Sequence, residues 1–298
     1  MSNTESTWHL YESRPSLIAA AIFAALFLLT STVHLYQRAK SHSRFMNPFI
    51  VGGVFQIIGY CARGAAHYKQ TSTTIYAIQT LLLLLSPILY AASIYMILGR
   101  LIISLKAQLL SLIPVKWLTK IFVCGDILPF VLQGAGGGIM SSGSASNLKT
   151  GQWVIVGLCV QLVFFGAFLL ASIIFNIRII SAPTVESDKG THCEGGRRCW
   201  SYNWQGLLYT CYLVSVLILA RSIYRVVEFA QGNTGYVISN EWFLYVFDAC
   251  MMVCVMVLLN VFHPAGILSH LTHDGHHRAG SGESVLDYPM RRMPEGRV

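Results

Sequence analysis

The chain has 298 residues, of which 54% are hydrophobic and only 11% charged. An ordinary soluble domain carries about 25% charged residues, so this composition excludes one. Net charge is +8, but the basic residues sit in short loops between apolar runs, which argues against nucleic acid as a partner. The first fourteen residues hold Glu5, Glu12 and a single Arg14, so they lack the basic start of a signal peptide.

In chain order, seven apolar runs have the length of a membrane helix, which is about 20 residues. They are Pro15–Gln37, Pro48–His67, Ile75–Leu105, Trp117–Met140, Gln152–Ile180, Trp204–Phe229 and Glu241–Phe262. The third and fifth exceed the minimum and predict tilt or extension beyond the bilayer. The expected fold is an all-α integral membrane bundle of seven transmembrane helices over residues 15–264, preceded by an extracellular segment, 1–14. It is followed by a cytosolic tail, 265–298, expected to be disordered from about Asp274 because it is rich in Gly, Ser, Glu, Pro and Arg.

Loop charges predict the direction of threading. Arg38, Lys40 and Arg44 follow the first run; Lys106, Lys116 and Lys120 bracket the third connection. Arg178, Lys189, Arg197 and Arg198 fall in the fifth connection, and Arg278, Arg291, Arg292 and Arg297 in the tail. The opposite side holds only Arg14, Lys69 and Lys149. By the positive-inside rule the N-terminus is outside and the C-terminus cytosolic.

The charges inside the runs carry the strongest functional signal. Arg221, Arg225 and Glu228 recur at i, i+4 and i+7 in the sixth run, and Glu241, Tyr245 and Asp248 repeat that spacing in the seventh. Each set therefore lines one helical face. A charged side chain at the middle of a membrane helix costs roughly 2.5–3.5 kcal/mol on insertion scales, so such stripes are expected to face inward and compensate one another. With the predicted direction, they form one layer toward the outer leaflet, joined by Arg63 at the end of the second run. Such a layer either pins helices together as an ion-pair network or holds the head of an amphipathic ligand. The fourth run adds Asp126 near mid-membrane, Pro129, and Gln133 two turns on, then Gly134 and Gly136–Gly138. Asp126 and Gln133 belong either to a substrate path or to a kink beside Pro129, and the glycines to close packing and an outer turn. His34 and His263 are expected as helix-end residues near the cytosolic face, and Tyr90 and Tyr95 as packing and hydrogen-bonding residues.

Other chemistry has little footing. Six cysteines, Cys61, Cys124, Cys159, Cys211, Cys250 and Cys254, lie in apolar runs and read as small hydrophobes. Cys193, Cys199 and His192 share a loop without a complete metal-ligand pattern, and no metal or cofactor is expected. There is no Walker motif, dinucleotide fingerprint, HExxH or Ser-His-Asp constellation. That argues against ATP-driven pumping within this chain and against common hydrolase chemistry, and no catalytic residue is assigned. An intramembrane lipid- or terpenoid-modifying enzyme with an acidic proton donor, and a seven-helix lipid receptor or sensor, are the alternatives to a transporter.

Six segments together resemble the fungal RTA-like family of lipid-translocating exporters. They are GYCAR at Gly59–Arg63, SPILYAASIYMILGR at Ser86–Arg100, FVCGDILPFVLQGAGGG at Phe122–Gly138, RSIYRVVEFAQG at Arg221–Gly232, the Glu241/Tyr245/Asp248 set, and His263-Pro264. The resemblance covers roughly Pro15 to Pro264. It implies a seven-span plasma-membrane or endomembrane protein that exports or translocates amphipathic lipids, of the sphingoid-base or aminosterol kind, or related toxic amphiphiles. Membrane lipids or amphipathic small molecules are then its ligands, bound by Arg63, Asp126, Gln133, Arg221, Arg225, Glu228, Glu241, Tyr245 and Asp248. One departure stands out: the family usually has Glu where this chain has Gln56, which removes a carboxylate that would partner Arg63.

Overall fold

A computed structural model describes residues 16–41, 43–69, 72–141, 147–182, 204–231 and 241–268. The side chains of Thr73 and of residues 133–153 lie outside that description, as do the extracellular segment at 1–14, the His192/Cys193/Cys199 loop and the tail from 269 onward. The described residues are helical, and none of them forms a strand. The helices are α1 (Leu17–Ser41), α2 (Asn47–Ala66), α3 (Thr73–Ser104), α4 (Val115–Ser141), α5 (Asn147–Ser181) and α6 (Trp204–Gln231). The last helix, α7, runs over 241–261 in three pieces: an α-turn Glu241–Leu244, a π-helical stretch Tyr245–Cys250, and Met251–Val261.

Six of these helices are long and apolar enough to cross a membrane: α1, α2, α3, α5, α6 and α7. The chain is a multi-pass membrane protein by that measure. The fourth helix is of comparable length, 27 residues, but places Lys116, Lys120 and Asp126 in its first half. Both internal prolines, Pro87 in α3 and Pro129 in α4, are accommodated within helix. Helix also continues through Gly134 and Gly136–Gly138 to Ser141, where an outer turn was expected. Without water to accept and donate, backbone groups in lipid have only the helix ladder to satisfy them, and this outweighs the weak propensity of glycine.

The third helix is the hub. It packs on α2, α4 and α6, while the sequential neighbours and the α1–α7 pair close the bundle around it. Its end is shaped by a Schellman motif: Ala107 N–H donates to Ile102 O (3.1 Å) and Lys106 N–H to Ile103 O (3.0 Å), with Lys106 at φ 51°. Close approach of α2 needs glycine twice over. A Cβ on Gly52 would lie 2.8 Å from the Tyr90 ring of α3, and one on Gly53 would lie 2.4 Å from Ser31 Oγ of α1. Ser86 Oγ ties the same crossing by donating to Gly52 O at 2.9 Å. His34, expected at a helix end, instead lies two turns inside α1, buried, with Nε2 3.0 Å from Met256 O of α7. The helix runs on to Ser41 because Gln37 and Ser41 continue the contact with the end of α7.

Candidate functional site: a charge-paired layer and a separate carboxyl

At the end of the bundle where α1, α3 and α7 begin and α2 and α6 finish, the intramembrane charges meet in two adjoining groups. In the first, the carboxylate of Asp248 accepts from two arginines of α6. Arg221 Nε bonds Oδ1, and Arg225 Nη2 bonds Oδ2 at 2.7 Å. Arg221 Nη2 also donates to the Leu83 carbonyl of α3 (2.8 Å), and Arg225 Nη1 to Glu228 Oε2 (2.9 Å). In the second, Arg63 of α2 donates to Glu241 Oε1 (2.6 Å) and, through Nε, to the Tyr245 hydroxyl (3.1 Å). The other oxygen of Glu241 accepts from the backbone of Ser16 at 3.0 Å, which anchors the start of α1. Tyr245 packs its ring parallel to Phe23 of α1.

Burial grades across this layer. The carboxylate of Asp248 is 1% exposed, whereas Glu228 and Glu241 reach 12% and 17%. Three arginines face three carboxylates, so the layer as a whole is neutral, as buried charge requires. The π-helical stretch explains how α7 serves both groups. It begins at Tyr245 and contains Asp248, and the extra residue per turn re-aims side chains relative to a regular α-helix.

Near the ion pairs lie buried polar atoms with no hydrogen-bond partner among the described residues. They include Arg225 Nε, the Tyr60 hydroxyl, and both amide atoms of Gln56. Arg63 finds its partner in Glu241 rather than at position 56, so the amide of Gln56 sits 1% exposed on the same α2 stripe without an ion-pair role. Tyr60, the Ser16 amide and the Leu83 carbonyl were not singled out from sequence. The only legible sign for Tyr60 was its place between Gln56 and Arg63 at helical spacing, and backbone groups leave no sign at all.

Asp126 does not join this layer. On α4, its Oδ2 accepts from the Tyr95 hydroxyl of α3 at 2.6 Å, while Oδ1 has no partner among the described residues, and the residue is 1% exposed. The Tyr95 ring lies 4.4 Å from that of Phe168, 5.6 Å from Phe122 and 6.1 Å from Phe165. Whether Gln133 accompanies Asp126 falls outside the described side chains.

These features define the class: a helical membrane protein with a neutral, buried layer of paired charges at one end of its bundle. The sequence profile described as "RTA1 like protein" matches residues 49–270, and the chain belongs to that family. "Protoporphyrin uptake protein 1" of Saccharomyces cerevisiae is 36% identical, over 88% of this chain and 94% of the relative. "Probable lipid transporter atnI" of Emericella nidulans is 30% identical, over 87% and 68%. "Sphingoid long-chain base transporter RSB1" of S. cerevisiae is 28% identical, over 78% and 67%. No solved structure matches.

Proposed function

We propose that the protein moves amphipathic lipids or related amphiphiles from one side of its membrane to the other, with no ATPase of its own. The observation that carries this reading is the charged layer itself. It is buried in a bundle whose outer faces display Ile18, Leu28, Leu29, Val163 and Ile177, so a polar head finds hydrogen-bonding groups inside while its tail stays against apolar surface. Arg63, Arg221, Arg225, Glu228, Glu241, Tyr245 and Asp248 are proposed to form the head-group site, with Asp126 and Gln133 further along the path. The names of two relatives, a lipid transporter and a sphingoid long-chain base transporter, support a lipid role.

In this reading α4 is the seventh span. At 27 residues it extends about 40 Å, and Arg178 near the end of α5 donates to Leu110 O just before α4 begins. Those two ends therefore lie together, and α4 runs antiparallel to α5 along the bundle. The loop charges support an outside N-terminus and a cytosolic C-terminus, and the plasma membrane is the proposed place of residence.

Export is the first direction to test. Cells expressing the protein are expected to release a fluorescent sphingoid base faster than cells lacking it, and Glu241→Gln to slow that release while the protein remains at the membrane. Equal release with and without the protein, over several lipid classes, would exclude export. A second reading, uptake of an anionic amphiphile, is favoured by the unpartnered donor Arg225 Nε and by the name of the protoporphyrin uptake relative. Porphyrin accumulation that depends on the protein would select it.

A further inference from the structure

If the amphiphile carries an amine, the charged layer suits the neutral hydroxyls of its head better than the ammonium itself. Both oxygens of Asp248 are taken by arginines, both oxygens of Glu241 by Arg63 and the Ser16 amide, and Glu228 is held by Arg225. An ammonium entering there must displace a guanidinium, which stays charged and bonds a carboxylate with better geometry.

Asp126 presents the opposite situation. It is a buried carboxyl with one oxygen unpartnered, and it forms no ion pair among the described residues. Its partner is the Tyr95 hydroxyl of α3, and the Tyr95 ring packs among Phe122, one turn back from Asp126 on α4, and Phe165 and Phe168 of α5. Among the described residues, none of the cations these helices carry, Arg100, Lys116, Lys120 and Arg178, pairs with Asp126. A second acceptor lies alongside in the chain: Pro129 lacks the N–H that would pair with the carbonyl of Gly125. A carboxylate, a freed carbonyl and aromatic faces are the chemistry that recognises an organic ammonium.

We propose that Asp126, with Tyr95 and the rings of Phe122, Phe165 and Phe168, binds the primary ammonium head of a single-chain amphiphile in exchange for a proton. A buried carboxyl without a neighbouring cation is neutralised by a proton or by a bound cation. When the ammonium arrives, the O–H bond of the acid breaks, the proton leaves to water, and the carboxylate pairs with the ammonium through Oδ1. The site is neutral before and after. Along α3, Leu83 at the charged layer and Tyr95 at Asp126 are twelve residues apart, or about 18 Å. The two are separate stations on one path, and this inference rests on the transport reading only for what the bound amphiphile does next.

The test uses the full chain in lipid nanodiscs, with dodecylamine and dodecanol as probes and titration calorimetry near neutral pH in two buffers of different ionisation heat. The parent is expected to bind dodecylamine and release a proton, up to one per ligand as the pH is lowered toward 6. Asp126→Asn should bind dodecylamine at least about tenfold more weakly, release no proton, and bind dodecanol as the parent does. Phe122→Leu, which keeps the carboxyl should Asp126→Asn fail to fold, should weaken dodecylamine by about threefold with proton release unchanged. Unaltered amine binding in Asp126→Asn, or binding by the parent without proton release, would overturn the assignment. If Asp126→Asn still moves a sphingoid base in proteoliposomes at the parent's rate, the station is wrong and the transport reading stands. If the parent moves no lipid yet shows Asp126-dependent binding, the transport reading fails and the site stands.

Discussion

Asp248 answers two guanidinium groups at once, and that doubles what depends on it. In Asp248→Asn, Arg221 and Arg225 would face each other across a neutral amide, both cationic in the working pH range and buried. Breaking a buried pair by removing one partner costs roughly 3–5 kcal/mol. Asp248→Asn is therefore expected to lower the melting temperature and abundance in detergent, read by fluorescence-detected gel filtration. Adding Arg221→Gln should recover part of the loss, because one surplus charge goes with it. Glu241, at the more open edge of the layer, is a gentler case; Glu241→Gln should cost less than Asp248→Asn, because only one guanidinium loses its carboxylate. A wild-type melting curve for Asp248→Asn would mean that water reaches the layer and screens it. Activity lost in Asp248→Asn is thus no evidence by itself for substrate contact, and Glu241 is the sharper probe of the head-group site.

Helix contacts in this bundle are limited by how close two backbones come, and α2 sets the limit. Gly52→Ala would press a methyl group into the Tyr90 ring, and Gly125→Ala would place one 2.4 Å from the Phe164 ring of α5. Overpacking of this kind typically costs 1–3 kcal/mol, so both variants are expected to melt earlier than the parent. The end of α3 has the converse fault. Lys106 occupies the left-handed position that a Schellman motif gives to glycine, and Lys106→Gly should stabilise the protein by about 1 kcal/mol; a lower melting temperature would show that the lysine side chain contributes more than the strain removes. The helices and the inward-facing stripes were legible because length, apolarity and 3.6-residue spacing are properties of one segment. Which stripe meets which is a property of two segments. That is why Glu241 as the partner of Arg63, Tyr95 as the partner of Asp126, and the inward turn of His34 were not readable. The π-helical stretch at Tyr245–Cys250 was hidden for a related reason: i, i+4, i+7 spacing presumes a regular helix, and nothing in YVFDAC announces the extra residue.

For the whole molecule, direction across the membrane decides what the charged layer faces. Within the bundle the relative directions are set by contacts. Ser16 and Glu241 join the starts of α1 and α7 at the layer, while Gln37 and Asn260 join their other ends. What remains is which end meets the cytosol. In the sequence, fourteen basic residues fall in or beside the first, third and fifth connections and in the tail, against Arg14, Lys69 and Lys149 before the first run and in or beside the second and fourth connections. Positive charge is retained on the cytosolic side during insertion, so the layer should open toward the outer leaflet. Single cysteines placed in 141–150 or 232–238 are then expected to react with a membrane-impermeant maleimide on intact cells. Cysteines placed in 185–195 or beyond 275 should react only after permeabilisation. The background from native cysteines is measured on the parent. Those in the apolar helices, such as Cys61, Cys124, Cys159, Cys250 and Cys254, are exposed on the bundle surface, where lipid rather than water would cover them. Labelling from outside at 185–195 would invert the protein, put the layer at the cytosolic leaflet, and make it the entrance for an outward-moving lipid instead of its exit.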